Sequence, residues 1–246
     1  MLVVLPLEKS YNEKRGVNAE FVSHPILDEW PSLELTPDKR KLARQHLGVK
    51  EDEFLLGLLP GSRHGELKYI LETQIKAAQQ VLQGEKRVRV LLLVAPNLTV
   101  DEVKAYLPKG FDLPIRLVKD EPLNIMQACD ACLVASGTAT LMTALAGTPM
   151  VIMYRSAALS VMLGRFFTRH LNFFGLPNVI AGREIVPEYL QDEGTPEILS
   201  EDLLRLVRDG NHYNKVKHDL IQLKESLGTG GATPHVVQAL KDAVRR

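Results

Sequence analysis

The chain has 246 residues, of which 45% are hydrophobic and 24% charged, and its 30 basic and 30 acidic side chains give a formal net charge of zero. This composition is typical of a globular protein, and a neutral balance argues against a nucleic-acid partner, because phosphate neutralisation needs clustered Lys and Arg. Apolar runs such as residues 2–5 and 90–95 are far shorter than the roughly 18 residues that cross a bilayer. Met1 is followed at once by an apolar run, so we expect no secretory signal and a cytoplasmic location.

The first thirty residues predict a small β-α-β unit. Residues 2–5 are typical of a buried strand, residues 8–14 of a short polar helix and residues 19–22 of a second strand. Two strands with one helix cannot bury both faces of their sheet. We therefore interpret residues 1–30 as the remnant of a larger domain.

Between residues 31 and 233, short apolar runs alternate with helical patterns. The predicted strands are residues 54–59, 89–95, 115–118, 131–135 and 150–153. The predicted helices are residues 37–47, 65–83, 99–107, 122–129 and 138–146. This alternation predicts an α/β fold, a Rossmann-like parallel sheet with helices on both faces. A helical C-terminal tail is expected near residues 156–171, 197–208, 211–226 and 234–245.

Cys129 and Cys132 are separated by two residues, a spacing found in redox pairs and in half of a zinc site. The seven histidines form no matching ligand motif. The first cysteine also lies near a predicted helix end, where no helix dipole lowers the pKa of a thiol. We therefore expect a structural role for both cysteines, with neither a zinc site nor a redox pair.

Two glycine-containing turns follow predicted strands and begin helices, the position at which α/β sheets bind ligands. The first comprises Gly61, Ser62 and Arg63, and the second comprises Ser136, Gly137, Thr138, Ala139 and Thr140. Small residues let backbone amides approach a phosphate, and the guanidinium of Arg63 suits phosphate oxygens. Each turn alone is also compatible with an ordinary loop, since neither is a Walker A motif or a G-x-G-x-x-G fingerprint. Two such turns on one sheet favour a diphosphate site.

Further segments extend this pattern along nearly the whole chain. In order, they read LPLEK, HP, LLPGSR, ASGTATL, PMV with YR, LPN, AGRE and PEYLQ, from residue 5 to residue 191. In this order and at these spacings they resemble the lipid-A-disaccharide synthase family. The resemblance implies the C-terminal half of a GT-B glycosyltransferase, with residues 31–233 as the UDP-sugar-binding domain.

The resemblance also implies a reaction and a set of site residues. Family members transfer a diacylglucosamine from UDP-2,3-diacylglucosamine to lipid X, releasing UDP, without a metal or cofactor. Arg63 and Asn178 are the expected catalytic residues, Arg63 at the diphosphate or the acceptor phosphate and Asn178 hydrogen-bonded to the donor. The expected substrate-binding residues are Gly61, Ser62, Arg63, Ser136, Gly137, Thr138, Ala139, Thr140, Asn178, Glu188 and Gln191.

The sequence departs from the family pattern in two respects. Met142 stands where the SGTATLE motif has a glutamate, and a thioether cannot accept hydrogen bonds from two ribose hydroxyls, so altered nucleotide affinity is expected. The family's N-terminal domain, with its GEASGD turn and catalytic aspartate, is not found. We therefore expect the chain to supply the donor-binding half only, with the general base in that N-terminal domain and residues 234–246 packing against it.

Residues 155–174 carry several large apolar side chains interleaved with Arg155, Arg165, Arg169 and His170. This pattern is compatible with a helix at an anionic membrane surface, a buried helix or a contact within a homodimer. Because the family is peripheral to the inner membrane, we expect the first. The alternative for the whole chain is a non-catalytic, truncated or degenerate GT-B module that binds a nucleotide or a partner; a UDP-sugar epimerase is a second enzyme class.

Overall fold

The computed structural model describes residues 1–28, 34–156 and 173–244. The chain divides into two compact units. One is made of residues 1–34 together with residues 221–246, and the other of residues 35–220. The expected C-terminal boundary at residue 234 therefore differs from the boundary in the structure, which lies at residue 221. The predicted interfacial segment 155–174 falls mostly outside the described residues.

In chain order, the strands are β1 (Leu2–Val3), β2 (Glu20–Phe21), β3 (Phe54–Leu59), β4 (Val88–Leu93), β5 (Ile115–Val118), β6 (Ala131–Ala135), β7 (Met150–Tyr154) and β8 (Glu188–Leu190). The helices are α1 (Pro6–Glu13), α2 (Pro37–His46), α3 (His64–Glu66), α4 (Glu72–Gly84), α5 (Val100–Lys104), α6 (Pro122–Ala128), α7 (Thr138–Leu145), α8 (Leu176–Ala181), α9 (Pro196–Arg208), α10 (Gly210–Ser226) and α11 (Ala232–Val244). A π-helical turn, Leu67–Leu71, joins α3 to α4, and a 3-10 turn, Gln191–Glu193, follows β8.

The smaller unit contains the first β-α-β segment, as predicted, but its strands are shorter than expected. β1 and β2 pair in parallel over two residues each. The carboxylate of Glu8 accepts hydrogen bonds from the amides of Val4 and Leu5, at 3.2 and 3.0 Å, and so starts α1 and ends β1. In the same unit, Asp28 accepts hydrogen bonds from the amides of Gly231, Ala232 and Thr233 and caps α11.

The larger unit is organised around a six-stranded parallel sheet in the order β5-β4-β3-β6-β7-β8. Strands β4 and β5 extend from β3 in one direction, and β6, β7 and β8 in the other. The strand order therefore reverses between β3 and β6, and such a reversal is where open α/β sheets bind ligands. The predicted Rossmann-like parallel sheet is confirmed.

Both faces of this sheet are covered. Successive side chains of a strand point to opposite faces, and Leu55, Leu56 and Leu58 of β3 are all buried. Helices α4 and α9 pack against each other, while α2 packs on α6 and α7 packs on α6 and α8. In the described ranges, no helix combines the length and the apolar character needed to cross a bilayer.

Several elements of the larger unit differ from the prediction, and one of them, α8, was not predicted. The helix predicted over residues 65–83 is interrupted by the π-helical turn, and the helix predicted over 99–107 ends at Lys104. β8 was not predicted, because its three residues, Glu188, Tyr189 and Leu190, are too few to form an alternating pattern. It forms an edge strand that pairs with β7 through the register Ile152 to Glu188.

Candidate functional site

The carboxyl ends of four strands open into a cavity of about 880 Å³. Leu59, Leu93, Ala135 and Tyr154, the last residues of β3, β4, β6 and β7, line it. Both predicted glycine turns contribute to its wall, as does the start of α6. The structure therefore brings the two turns together at one site, as the sequence pattern indicates for the carboxyl edge of a parallel sheet.

In the first turn, a side chain is available to a ligand and two backbone amides are occupied. Oε2 of Glu66 accepts hydrogen bonds from the amides of Ser62 and Arg63, at 2.7 and 3.2 Å. Gly61 has a φ of +109°, and a Cβ atom there would lie 2.7 Å from Cβ of Glu66, so only glycine fits. The side chain of Arg63 is 83% exposed, with Nη1 3.9 Å from Oε1 of Glu66. The guanidinium can therefore reach a ligand, whereas these two amides are already bound.

The second turn offers backbone amides. Gly137, with a φ of +156°, is the N-cap of α7, and its carbonyl accepts hydrogen bonds from the amide and the hydroxyl of Thr140, at 3.0 and 2.7 Å. Ser136, Gly137, Thr138 and Ala139 line the cavity, whereas Thr140 is buried. Within the described residues, the amides of Thr138 and Ala139 have no hydrogen-bond partner. Such free amides, with the helix dipole, form a binding site for an anion.

Asn178 lies in α8 and is completely buried. Its Nδ2 donates hydrogen bonds to the carbonyl of Val186 and to Oε2 of Glu188, at 2.8 and 3.0 Å. Its Oδ1 accepts hydrogen bonds from the amides of Ile185 and Val186, at 2.8 and 3.1 Å. Asn178 is absent from the described residues that line the cavity. The structure places it in the scaffold, on a helix that packs against α7.

Glu188 and Gln191, the other two expected substrate ligands, also act within the scaffold. Glu188 accepts hydrogen bonds from the amides of Phe174 and Gly175, at 2.9 and 2.8 Å. Gln191 holds an unusual positive φ of 56°, and its amide group forms two hydrogen bonds of 3.0 Å with the backbone of Ser156. Ser156 lines the cavity. Gln191 therefore orients the cavity wall without lining it.

Besides Glu66, two charged residues that line the cavity were missed as site residues by the sequence reasoning. Arg155 follows β7; it donates a hydrogen bond of 2.9 Å to Oγ1 of Thr73 and forms an ion pair of 3.1 Å with Asp192. Glu121 is the N-cap of α6 and is exposed. The position of Arg155 directly after a strand on the ligand-binding edge was a signal that could have identified it.

A third part of the cavity is apolar. Its side chains come from the end of β4, the loop that follows it, the start of α6 and the middle of α7: Leu93, Ala95, Pro96, Pro122, Leu123, Met126 and Met142. The cavity thus combines two guanidinium groups, free helix amides and an apolar surface. This combination can bind an anionic group and a flat apolar group of one ligand together.

The two cysteines lie outside this cavity wall. Cys129 and Cys132 are buried beside Gly57 of β3. A hydrogen bond with Cys129, together with burial, raises the pKa of the Cys132 thiol well above its usual range. A thiol of raised pKa is unreactive. Within residues 1–28, 34–156 and 173–244, no group of three or more His, Cys, Asp or Glu side chains is placed to hold a metal ion.

The sheet, the switch point and the cavity place this molecule among the Rossmann-like α/β units of GT-B glycosyltransferase-type folds. The chain belongs to the lipid-A-disaccharide synthetase family, whose model matches residues 1–239. The resemblance found in the sequence motifs is therefore confirmed.

Comparison with individual proteins leads to the same family. The chain is 36% identical to the lipid-A-disaccharide synthase of Nitrosococcus oceani over 230 residues, which cover 94% of this chain and 58% of that protein. It is 32% identical to the same enzyme of Syntrophotalea carbinolica over 246 residues, 100% of this chain and 61% of that protein. The chain thus spans about three-fifths of the length of these relatives.

A solved structure supports the fold independently. The UDP-GlcNAc 2-epimerase from Neisseria meningitidis, bound to UDP-GlcNAc, superimposes with a TM-score of 0.63 at 13% sequence identity. The superposition covers 98% of this chain and 61% of that one. At this identity the likeness concerns the fold.

Proposed function

We propose that this chain is the nucleotide-sugar-binding half of a lipid-A-disaccharide synthase, which holds the UDP part of UDP-2,3-diacylglucosamine in the cavity. The observation that carries the proposal is the convergence of Arg63, Arg155 and the free amides of α7 at one end of the sheet. The family and the names of the relatives support it. The structural neighbour that binds UDP-GlcNAc is consistent with a nucleotide sugar as ligand.

The three groups have different parts in the proposed reaction. When a hydroxyl of lipid X attacks the anomeric carbon, the bond to UDP breaks and negative charge grows on the leaving diphosphate. The amides of Thr138 and Ala139 are fixed by α7, and Arg155 is fixed by Thr73 and Asp192. Fixed donors stabilise developing charge without reorganisation. Arg63, which is exposed, adds a movable guanidinium that closes on the phosphate.

The proposed reaction also needs a base that removes the proton of the attacking hydroxyl. We assign this base to the family's N-terminal domain, because the chain covers only 58% and 61% of the length of these relatives. The unit of residues 1–34 and 221–246 belongs to that domain in our proposal. Its two-stranded sheet is small, and Val237 and Leu240 of α11 are 44% and 61% exposed, as expected for side chains that pack against further structure.

Both proposed substrates carry acyl chains, so we place the protein at the cytoplasmic face of the inner membrane. Flotation of the chain with vesicles that contain anionic lipid tests this location. Recovery with anionic but not with neutral vesicles is expected, because an anionic surface attracts basic side chains. Equal recovery with both, or recovery with neither, would contradict the membrane assignment.

The donor site is tested by calorimetric titration of the chain with UDP. The wild type should bind, and Arg63→Ala should weaken binding by about 10- to 100-fold, the effect of removing a charged hydrogen bond. Arg116→Ala is the matched control, because Arg116 is also an exposed arginine but does not line the cavity. A folded wild-type chain that binds no UDP would refute the proposal and favour a non-catalytic module.

A further inference from the structure

Two carboxylates line the cavity, and they differ in the hydrogen bonds and ion pairs that they form. Among the described residues that line it, the acidic ones are Glu66 and Glu121. Glu66 is committed to the amides of Ser62 and Arg63. The carboxylate of Glu121 makes no hydrogen bond and no ion pair with any other residue in the described parts of the chain.

The backbone of Glu121, by contrast, is fixed. Its amide donates a hydrogen bond of 2.7 Å to Oδ1 of Asp120, and its carbonyl accepts one of 3.3 Å from the amide of Ile125 in α6. The residue therefore projects a free carboxylate from a fixed point of the cavity rim. A carboxylate is an acceptor only, so the ligand group that it binds must donate hydrogen bonds.

The residues around Glu121 indicate which group of a ligand donates hydrogen bonds to its carboxylate. Pro122 and Leu123 follow Glu121 directly, and Leu93 and Pro96 belong to the same apolar part of the cavity. Charge repulsion disfavours a diphosphate beside the carboxylate of Glu121, which no cation neutralises in the described residues, and the two arginines and α7 attract the diphosphate instead. A flat base suits the apolar wall, and the group that joins a base to a diphosphate is a sugar whose neighbouring hydroxyls are hydrogen-bond donors.

We propose that Glu121 binds the ribose hydroxyls of the nucleotide and thereby fixes its orientation in the cavity. The proposal rests on the proposed donor site. Met142, which lines the same cavity, has only a thioether and cannot accept two hydroxyl protons. Glu121 supplies the acceptor oxygens that Met142 lacks. The two carboxylate oxygens match two adjacent hydroxyls, so both the 2′- and the 3′-hydroxyl contribute to affinity.

The test is calorimetric titration of the full chain with UDP and with 2′,3′-dideoxyuridine diphosphate. The wild type should prefer UDP by about tenfold, the effect of losing hydrogen bonds to a charged acceptor. Glu121→Ala should bind UDP about tenfold more weakly and lose the preference, and Glu121→Gln should retain part of it. The control is Glu201→Ala, an exposed carboxylate that does not line the cavity.

Failure of this inference can be distinguished from failure of the donor site. If Glu121→Ala keeps the wild-type preference for UDP over the dideoxy nucleotide, the assignment of Glu121 is overturned while UDP binding stands. If the wild type binds neither nucleotide, the donor site itself is refuted, and the assignment of Glu121 with it. Because Glu121 is exposed and its side chain has no partner in the described residues, neither Glu121→Ala nor Glu121→Gln should change the midpoint of thermal unfolding.

Discussion

The two glycine turns at the carboxyl edge of the sheet both join a strand to a helix but present different chemistry. In the turn after β3, the carboxylate of Glu66 occupies the amides of Ser62 and Arg63, and an exposed guanidinium remains for a ligand. In the turn after β6, the amides of Thr138 and Ala139 are free. At the N-cap, the amide of Arg63 is bound by Glu66, the third residue of α3, whereas the amide of Gly137 has no partner in the described residues, because the third residue of α7 is Thr140. A strand-to-helix turn therefore offers its N-cap amide to an anion when its own helix brings no carboxylate back to it.

The largest effect is expected from the scaffold beside the second turn. Asn178→Ala should lower the free energy of unfolding by about 3 kcal/mol, because it leaves several buried hydrogen-bonding groups without partners. Urea denaturation measures this change. Asn211→Ala, at an exposed asparagine, should change stability by less than about 0.5 kcal/mol. A stable Asn178→Ala variant with lost UDP binding would instead give Asn178 a direct role at the ligand.

The two turn glycines should respond unequally to alanine. Gly61→Ala is expected to cost about 3 kcal/mol, since it combines a strained φ with a clash against Glu66. Gly137→Ala should cost about 1 kcal/mol, because no other atom lies within 4 Å of the new Cβ and only the backbone strain remains. Denaturation of the two variants side by side measures the difference. Equal losses in the free energy of unfolding would show that contact with the side chain of Glu66 does not restrict the residue at position 61.

Neutralising Glu66 should separate stability from binding. Glu66→Gln weakens the hydrogen bonds to two amides and should lower stability by about 1 kcal/mol. The same change removes a negative charge from the cavity and should strengthen UDP binding by about threefold. Thermal unfolding and calorimetry on one preparation measure both quantities. Weaker UDP binding in this variant would mean that the carboxylate itself contributes to the ligand site.

The smallest effect is expected for a side chain of the second turn. Ser136→Ala should change UDP affinity by less than about threefold, because the proposed donors there are backbone amides. Calorimetric titration with UDP measures the affinity of Ser136→Ala, and Arg63→Ala, which should bind UDP much more weakly, is measured beside it. A loss for Ser136→Ala as large as that for Arg63→Ala would show that both turns act through side chains.

Much of the larger unit could be predicted from its sequence. The five longer strands, β3 to β7, are mainly apolar segments that alternate with helical segments, and the positions of both turns follow from them. β8 could not be predicted, because a three-residue edge strand is half-buried and takes its hydrogen bonds from a distant neighbour. The interruption of the helix after Arg63 by a π-helical turn likewise has no separate periodic signal.

The cavity was predicted less completely than the sheet. Gly61, Ser62, Arg63 and residues 136–139 line it as expected, because the end of a strand determines where the next turn lies. The side chains of Asn178, Glu188 and Gln191 bind backbone groups of loops far along the chain, and sequence spacing does not reveal such partners. The hydrogen bonds of Glu66 were detectable in principle, as a glutamate three residues after the helix N-cap.

The buried thiols beside Gly57 give this protein an internal probe of sheet opening. A Cβ atom at position 57 would lie 2.9 and 3.2 Å from the sulfurs of Cys129 and Cys132, so the pair is enclosed against the central strand β3. An alkylating reagent can reach these sulfurs only when the structure around β3 and β6 opens. The rate at which the chain gains mass from the reagent therefore reports the frequency of opening, and a nucleotide that binds the folded sheet should slow that rate.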